Sequence, residues 1–531
     1  MARSADYVIV GSGSSGGVLA RRLADSGASV ILIEAGRRDD TVLCRKPGMI
    51  GPLHAVPQLK KKLDWGHYTV EQKHALGRRI PQTHGKVLGG SSSINGMVFV
   101  RGNRTNFDDW AAEGNTGWSY ADVLPSFKKF ESFEDGGSDY RGGSGPIKVI
   151  RATELTPASE AFIDALSATA GVKRNDDYNA AEQEGVSLFQ QSNAAGLRYS
   201  TSVGYLDEAP DNLTVLSETQ VARVVIEGGR AVGVQLVAGE VIRAAREVVL
   251  SAGVYGSPQL LMLSGVGPAD HLRAFGLDVV TDLPVGENLH DHLFVPMSFA
   301  MPSAMHKPSP LHFGGAFLRE RRHSGSTWLA RSVFEVVGFV RTPYATGIPD
   351  LQLHVLPWSY PSPNQDAPIR HKPDPRQALT IMSTLIYPKS RGRFRLASAD
   401  PTAAPLIDPN YLDEQADVDV LVSGMELIRE TMASAPIAAG VRAEIAPGLR
   451  YPSRADLARE VLNRATTVYH PVGTCRMGVD ERSVVDPQLR VRGVEALRVV
   501  DASIMPSIVG GNTNAASMMI GEHAAGFMLG A

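Results

Sequence analysis

The sequence predicts an α/β fold in two parts: a Rossmann-like domain with a parallel sheet, and a second domain built on an antiparallel sheet covered by helices. The first part is indicated by an apolar run, Tyr7 to Val10, that leads into glycines spaced as G-x-G-x-x-G and then into a helical pattern. A second apolar run, Val30 to Ile33, ends in the acid Glu34. The second part is indicated by strand-like segments between residues 332 and 387.

The three glycines of the motif have separate physical tasks. Gly11 permits a tight turn, Gly13 lets a pyrophosphate approach the backbone, and Gly16 lets the helix and the strand pack closely. The N-terminus of the helix supplies N–H donors and a positive dipole end for phosphate. Glu34 follows about 20 residues later, where a carboxylate binds a ribose hydroxyl. The stretch therefore predicts a dinucleotide site, and the acid favours FAD or NAD over NADP.

Further elements follow in chain order. Residues 36–84 are irregular and rich in Pro, Gly and basic residues, which indicates a long loop covering the cofactor site. Leu88 to Val98 is a small-residue segment that lets backbone press against a flat ligand. Ser119 is the expected N-cap of an amphipathic helix. Helices are predicted over residues 106–113, 120–131 and 157–170.

Strands dominate the next part of the chain. Four segments between short turns predict a β-meander, over residues 213–216, 221–226, 231–237 and 241–250. A helix is expected to begin at Ser257, with Pro258 at an early position and Gly265 at its end.

The second domain is predicted beyond Leu293. Its strands are expected over residues 332–340, 351–355 and 379–387, with residues 392–397 paired to the last of them, and its helices over 417–432 and 454–465. The chain ends with a strand over 497–500 and a helix from about residue 515. The wall of such a sheet is a reasonable place to hold a substrate against a cofactor.

Composition indicates an ordinary globular protein. A chain of 531 residues with 43% hydrophobic residues can bury a large core and should form two or more domains. The net charge is −3, so no nucleic acid partner is expected, and Lys60 to Lys62 is interpreted as a solvated run. Cys44 and Cys475 provide no disulfide framework and no cysteine metal site. No secretory or membrane-spanning segment is evident, so we expect a cytoplasmic location, with peripheral membrane attachment left open.

Several segments, taken in order, resemble the glucose–methanol–choline (GMC) flavin oxidoreductases over nearly the whole chain. They are GSGSSGG from Gly11, Glu34-Ala35-Gly36, GKVLGGSSSINGMVFVRG from Gly85, SAGVYGSPQLLMLSGVG from Ser251, VGENLHDH from Val285, YHPVGTCRMG from Tyr469 and RVVDASIMPSIVGGNTNAASMMIGE from Arg498. The resemblance implies FAD rather than NAD. It also implies oxidation of an alcohol to an aldehyde or ketone by hydride transfer to flavin N5.

The resemblance implies a catalytic pair, His470 and Asn512, facing the flavin. Imidazole titrates near neutrality, so His470 suits the base that removes the hydroxyl proton. Asn512 can hold the same oxygen but cannot take its proton. Without the resemblance, His470 would be interpreted as a hydrogen-bonded core histidine.

The glycine motif and the resemblance together imply a set of cofactor-binding residues. Asp501 and Ala502 are expected by the ribityl-pyrophosphate, Asn95 to Val98 by the isoalloxazine, and Val221 by adenine. The full set is Gly11, Ser12, Gly13, Ser14, Ser15, Gly16, Glu34, Ala35, Gly89, Ser91, Asn95, Gly96, Met97, Val98, Val221, Asp501, Ala502, Asn512 and Thr513.

Two further features of the flavin site follow from the resemblance. The N-terminus of the helix after Asn514 would stabilise negative charge on reduced flavin. Members that attach FAD covalently have a His where this chain has Ile94, so noncovalent FAD is expected. The resemblance also sets the domain prediction. Residues 1–292 are mainly FAD-binding, with the covering loop over 36–84; residues 293–465 are mainly substrate-binding; and residues 466–531 return to the FAD domain with the catalytic pair.

Two acidic or histidine features have competing interpretations. His290-Asp291-His292 suggests a metal, but no further ligand lies nearby in sequence, and the matched family segment favours a hydrogen-bonding loop, so no metal is expected. Glu335 falls near the carboxylate that choline-oxidising relatives direct at the ammonium group. The simpler interpretation is a strand glutamate facing solvent.

The sequence leaves the substrate and the electron acceptor open. The expected partners are a small-molecule alcohol, for which choline, aliphatic alcohols and sorbose all stay open, and an acceptor that is a quinone, a dye-like acceptor or oxygen. An oligomer is possible on the sequence. The alternative to a dehydrogenase is an oxygen-reducing alcohol oxidase that produces hydrogen peroxide. A redox-neutral hydroxynitrile lyase and a noncatalytic flavin-binding module are less favoured, and the presence of His470 counts against the algal photodecarboxylases.

Overall fold

The computed structural model of the chain describes residues 3–304, 310–323, 325, 327–359 and 376–530. Two seven-stranded sheets organise these residues, the first mostly parallel and the second antiparallel. The α/β fold in two parts that the sequence predicts is therefore confirmed.

The first sheet is centred on the strand that precedes the glycine motif. Val8 and Ile9 in that strand are fully buried, as expected of a parallel strand covered on both faces. Parallel pairs join the strands on either side of it, and two antiparallel pairs complete one edge. The strand order is Leu213–Leu216, Val30–Ile33, Ser4–Val10, Val241–Leu250, Arg230–Leu236 and Val221–Glu227, with Leu497–Val499 also paired to Val241–Leu250.

The β-meander is correct for three of its four predicted strands. Val221–Glu227, Arg230–Leu236 and Val241–Leu250 pair in sequence, as a meander requires. Leu213–Leu216 instead pairs in parallel with Val30–Ile33 at the opposite edge of the sheet. Its apolar pattern identifies a strand but does not specify a neighbour, so the sequence missed this pairing.

The second sheet is antiparallel throughout. Its strand order is Ala443–Ala446, Leu293–Ala300, Ala378–Leu385, Leu351–Leu356, Val336–Val340 and Gly185–Leu188, with Thr466–Thr467 also paired to Leu293–Ala300. The two helices predicted to cover it are confirmed as Gln415–Ala433 and Arg454–Arg464, and the helix Pro157–Ala170, predicted without this placement, packs with them.

In this part of the chain one strand was missed and one predicted pairing is wrong. The strand Leu293–Ala300 was not predicted, because it is buried at every position and so shows no alternation, and because Pro296 argues against a central strand. The segment 392–397 does not pair with the strand that ends at Leu385; its strand Arg393–Arg395 pairs with Leu406–Asp408. A bend at Ile386 and Tyr387, followed by irregular chain to Arg391, separates it from the large sheet.

The helix predicted from Ser257 begins earlier, at Gly253, and runs to Leu263 with Pro258 inside it. Proline lacks the N–H that would bond the carbonyl of Val254. The hydroxyl of Thr474 donates to that carbonyl at 2.7 Å, so the acceptor is satisfied and the helix continues through the proline. The predicted end is confirmed, since Gly265 has a φ of +83°.

The covering segment over residues 36–84 contains more local structure than the loop that its irregular pattern indicates. Pro47 and Pro57 occupy the first positions of two of its turns, where proline starts rather than breaks a helix. The segment holds the helices Val42–Arg45, Ile50–Ala55 and Pro57–Lys60, the 3₁₀ turns Pro47–Met49 and Lys73–Ala75, and the strands His67–Tyr68 and Pro81–Gln82.

The remaining elements connect these parts. The N-cap predicted at Ser119 is confirmed, since its hydroxyl accepts from the N–H of Asp122, and the side chain of Asp122 completes a capping box. The helices are Gly16–Asp25, Arg104–Ala112, Tyr120–Phe130, Ala269–Ala274, Pro310–Arg322 and Asn514–Leu529, and the short strands are Glu131–Phe133, Ile147–Arg151, Gln190–Gln191, Asn193–Ala194, Leu197–Arg198, Val266–Gly267 and Thr281–Asp282. Among the helices of the described ranges, none combines the length and the apolar character that a membrane span needs.

Candidate active site

A cavity of about 930 Å³ is lined by residues of both sheets, of the covering segment and of the start of the last helix. Most of the residues predicted to bind the cofactor lie on its wall. They are Gly11, Gly13, Ser14, Ser15, Glu34, Ala35, Ser91, Asn95, Gly96, Met97, Val98, Val221, Asp501, Ala502, Asn512 and Thr513. His470 lies on the same wall.

Three of the predicted cofactor-binding residues do not line the cavity, and their contacts indicate a packing role. Ser12 is fully buried, donates to Glu34 at 2.6 Å and accepts from the backbone N–H of Gly89 at 3.1 Å. A Cβ at Gly16 would lie 2.0 Å from the carbonyl oxygen of Gly11, so only glycine fits there. Gly89 has a φ of +82° in the turn that Ser12 holds.

The glycine motif has the form that a dinucleotide requires. Gly11 turns the chain with a φ of +97°, whereas a Cβ at Gly13 would meet no protein atom within 4 Å, so the backbone there is open to a phosphate. Glu34 accepts from the N–H groups of Ser12 and Gly36, and burial raises the pKa of its carboxyl against these hydrogen bonds. The open backbone at Gly13, the carboxylate of Glu34 and the size of the cavity fit FAD.

The imidazole of His470 lies at the centre of a chain of hydrogen bonds. Its Nδ1 lies 3.1 Å from Nδ1 of His292, whose Nε2 lies 2.9 Å from the carbonyl oxygen of Ile386. On the cavity side, Nε2 of His470 lies 3.2 Å from the amide nitrogen of Asn512. The amide of Gln352 donates to Oδ1 of Asn512 at 3.1 Å.

This series of hydrogen bonds determines which nitrogen of His470 carries the proton. A carbonyl only accepts, so Nε2 of His292 donates to Ile386. Burial lowers the pKa of His292 to about 3, so the ring is neutral and its Nδ1 is an acceptor. Nδ1 of His470 must therefore donate, which leaves Nε2 of His470 as an acceptor facing Asn512 and the cavity. Burial also lowers the pKa of His470 well below its usual value, so the base is unprotonated near neutral pH.

The segment VGENLHDH supports this histidine rather than a metal. Asp291 accepts from the backbone N–H of His470 at 2.9 Å and from the hydroxyls of Tyr411 and Thr467, each at 2.5 Å. Burial raises the pKa of Asp291 to about 6. The predicted hydrogen-bonding loop is confirmed, and in the parts of the chain that the structure describes no cluster of three His, Cys, Asp or Glu side chains is arranged to hold a metal.

Two polar residues of the site were missed from the sequence, Gln352 and His354, and His292 was expected in a hydrogen-bonding loop but not as a partner of His470. His354 lines the cavity, its Nδ1 lies 3.1 Å from the hydroxyl of Thr384, and its buried Nε2 has no hydrogen-bond partner within the described residues. Burial lowers the pKa of His354 to about 4. Gln352 and His354 are alternate residues of an otherwise apolar strand, so they share one face, and that alternation is a signal in the sequence.

Glu335 does not face solvent, as its simplest interpretation requires. Its side chain is 8% exposed and accepts from the backbone N–H and the hydroxyl of Thr156, at 3.2 and 3.0 Å. Thr156 is the N-cap of the helix Pro157–Ala170. Burial raises the pKa of Glu335, and the residue is not part of the cavity wall.

Comparison with known proteins identifies what the chain resembles. Family models described as GMC oxidoreductase match residues 5–294, with the N-terminal model, and 388–521, with the C-terminal model. An oxygen-dependent choline dehydrogenase from Brucella melitensis is 39% identical over 99% of this chain and 96% of its own length. An alcohol dehydrogenase [acceptor] from Pseudomonas putida is 39% identical over 98% of this chain and 95% of its own length.

Two solved structures of oxidases superpose on nearly the whole chain. A mutant of formate oxidase from Aspergillus oryzae RIB40, studied for FAD modification, superposes with a TM-score of 0.91 at 27% identity over 99% of this chain and 98% of its own. Pyridoxine 4-oxidase from Mesorbium loti superposes with a TM-score of 0.86 at 30% identity over 98% of each chain.

Proposed function

Because the chain belongs to the GMC oxidoreductase family, we propose that His470 is the base, and Asn512 its partner, in the FAD-dependent oxidation of an alcohol to an aldehyde or ketone. The relatives support oxidation of CH–OH groups as the activity. When bound, FAD supplies the oxidising power by accepting hydride from the carbinol carbon. The observation that carries the proposal is the orientation of His470, whose acceptor Nε2 lies at the cavity wall beside Asn512.

His470 and Asn512 divide the work on the substrate oxygen. The amide of Asn512 donates to that oxygen and holds it next to Nε2 of His470. The hydroxyl proton passes to Nε2 while hydride leaves the adjacent carbon, so the carbonyl forms and the charges balance. Asp291 lies against the backbone of His470 and stabilises the imidazolium that results.

The cofactor would be held by the predicted residues of the cavity wall. Gly13 and the N-terminus of the helix Gly16–Asp25 suit the pyrophosphate, and Glu34 suits the adenosine ribose. The N-terminus of the helix Asn514–Leu529 borders the same cavity and favours negative charge there.

Replacement of His470 by Ala tests the assignment of the base. The rate of anaerobic flavin reduction should fall by at least roughly 10²-fold, the lower range for a positioned base, with FAD content near normal. His323→Ala, on an exposed part of the chain, is the matched control and should reduce at the parent rate. Equal rates in the two variants would show that His470 is not the base.

We propose that FAD is held noncovalently, since Ile94 stands where covalently flavinylated members have His. Ile94 is buried on the cavity wall and has no nucleophile. Acid precipitation should leave yellow flavin in the supernatant. Flavin that stays on the denatured polypeptide would contradict the proposal.

Reaction of the holoenzyme with a panel of alcohols distinguishes alcohol oxidation from lyase activity and from simple flavin binding. Anaerobic bleaching of the flavin by an alcohol supports oxidation, whereas a lyase or a binding module would leave the flavin oxidised. We favour a dehydrogenase because one of the relatives described above is named an alcohol dehydrogenase [acceptor]. An oxidase is the second candidate, because the similar solved structures include two oxidases. The flavin is reduced with choline, benzyl alcohol, straight-chain alcohols or sorbose, and air is then admitted. Slow reoxidation of the flavin supports a dehydrogenase. Prompt reoxidation with stoichiometric hydrogen peroxide supports an oxidase.

A further inference from the structure

The part of the cavity next to the catalytic pair is walled by apolar side chains from the second sheet and its flanks. Six of them, which we call the apolar cup, contact one another and line the cavity: Phe294, Val333, Phe334, Leu356, Trp358 and Met382. Phe334 lies against His354, with ring centroids 5.9 Å apart, so the cup adjoins the polar face of the strand Leu351–Leu356. The substrate body therefore meets apolar and aromatic atoms.

Carboxylates on the cavity wall are already engaged in hydrogen bonds within the protein. Glu34 and Asp501 are the acids among the described wall residues. Glu34 accepts from Ser12 and Gly36 at the glycine motif. Asp501 accepts from the N–H of Gly253 and the hydroxyl of Ser257.

Acids just outside the wall are also engaged. Glu335 holds Thr156, away from the cup. Asp291 is saturated by Tyr411, Thr467 and His470 behind the base. Asp64 accepts from the backbone N–H of His84 at 2.9 Å and pairs with Lys60 at 3.5 Å. In the described part of the chain, no carboxylate is directed into the apolar cup.

Positive charge borders the same region. Lys60 lies 5.9 Å from the ring centroid of Tyr469, a wall residue, so one face of that aromatic ring already meets a cation. Arg198 is fully buried and donates to Oδ1 of Asn95 at 2.8 Å. The pKa of His54 on the wall is lowered to about 4, first by burial and next by Lys60, with a further contribution from Arg198 that Asp64 opposes.

We infer that the substrate is a neutral alcohol with an apolar body, and that a quaternary ammonium alcohol such as choline is a poor substrate. This inference rests on the proposed alcohol oxidation. A permanent cation in the cup would lose its hydration without gaining a counter-ion from the residues that the structure describes. Aromatic faces attract a cation, but such contacts recover only part of that loss. A neutral body of the same shape loses no such hydration and buries the same apolar surface.

A pair of alcohols of equal shape tests the inference on the holoenzyme. Choline and 3,3-dimethylbutan-1-ol differ in that a quaternary nitrogen replaces a quaternary carbon. We expect the kcat/KM of anaerobic flavin reduction to be at least about tenfold higher for the neutral alcohol, because only the cation is left unpaired. Equal or better turnover of choline would overturn the inference and leave the proposed oxidation intact. Failure of every alcohol to bleach the flavin would instead overturn the proposed oxidation.

Binding without turnover gives an independent measurement. Calorimetric titration of the oxidised holoenzyme should show binding of tert-butanol, which has no carbinol hydrogen, and little or none of tetramethylammonium. Tighter binding of the cation would contradict the inference. Glu335→Gln supplies the control within the chain: because Glu335 faces Thr156, the ratio of choline to 3,3-dimethylbutan-1-ol turnover should stay as in the parent. A further fall in choline turnover alone would identify Glu335 as an ammonium ligand and overturn the inference.

Discussion

The proton on His470 is located by a backbone carbonyl that does not contact that residue. Ile386 accepts from His292, and His292 then accepts from His470, so the lone pair of Nε2 is directed at Asn512. The base works only in this tautomer, because a proton on Nε2 would donate toward the substrate oxygen instead of accepting from it. His292 is thus a positioning residue.

Two replacements of His292 should separate this role from simple packing. His292→Phe fills the fully buried site but offers no acceptor to Nδ1 of His470, so the flavin reduction rate should fall by at least about tenfold. His292→Gln offers a side-chain carbonyl and should recover a large part of that rate. The measurement is stopped-flow reduction at equal FAD content and equal Tm. Equal impairment in both variants would mean that His292 only fills space.

At this scale the sequence predicts residues that belong to a motif and misses those that do not. His470 and Asn512 were placed by their segments, and the structure brings them within 3.2 Å. The register of the second sheet places His354 on the cavity wall and lets Gln352, on the same face of its strand, donate to Asn512. That register is set by pairing with Val336–Val340 and Ala378–Leu385, which an apolar pattern alone does not specify, so the sequence could not place these two residues.

At the scale of elements, the turn from the first strand to the first helix is built by glycines with different constraints. Gly16 is packed against backbone, since an added Cβ would lie 2.0 Å from Gly11 O and 2.8 Å from Ser251 Cβ. Gly13 has no protein atom within 4 Å of that position. The close packing at Gly16 is a requirement of folding, whereas the open space at Gly13 is a requirement of the ligand.

Alanine at the two positions should therefore produce different defects. Gly16→Ala should lower the Tm of the apoprotein and the yield of folded protein, because backbone must move. Gly13→Ala should fold with a near-normal apoprotein Tm but bind FAD at least about tenfold more weakly, because its methyl occupies the phosphate approach. Gly314→Ala, in a helix with open space around it, is the control and should leave both quantities near normal. Identical defects in Gly13→Ala and Gly16→Ala would contradict this division.

Elements with local signals were predicted well, and those determined by distant contacts were not. The capping box at Ser119 and the helix Pro157–Ala170 follow from neighbouring residues. The helix from Gly253 runs through Pro258 because Thr474, distant in sequence, supplies the missing donor. The prediction from the sequence began the helix at Ser257, just before the proline, because the contact with Thr474 cannot be read from neighbouring residues.

At the scale of the whole molecule, the structure concentrates neutral histidines in its interior. Burial lowers the pKa of His54, His67 and His354 to about 4 and of His290 and His292 to about 3. His54 and His67 belong to the covering segment, His354 to the second sheet, and His290 and His292 to the loop before the strand Leu293–Ala300. In the unfolded chain these rings would titrate near their ordinary pKa of about 6.5.

The direction of the resulting acid sensitivity follows from proton uptake. Between about pH 6.5 and the lowered pKa values, the unfolded chain binds more protons than the folded one, so the histidine contribution to stability is full above about pH 6.5 and is lost as the pH falls. Asp291 acts in the opposite sense, because its pKa is raised to about 6 and its folded form gains protons first. Burial also raises the pKa of Glu34, Glu335 and Asp501, so these carboxyls act in the same sense as Asp291 and together offset part of the effect of the five histidines.

We therefore expect the Tm of the holoenzyme, with FAD in excess, to fall steadily between about pH 7 and about pH 5. Each proton that only the unfolded chain binds changes the free energy of unfolding by up to about 1.4 kcal/mol per pH unit. His290→Gln removes one lowered group from a buried position and should flatten the dependence of Tm on pH. His323→Gln, at an exposed position, is the matched control and should keep the parent slope. A Tm that is constant over this range, or equal slopes in the two variants, would show that the buried histidines do not govern acid stability.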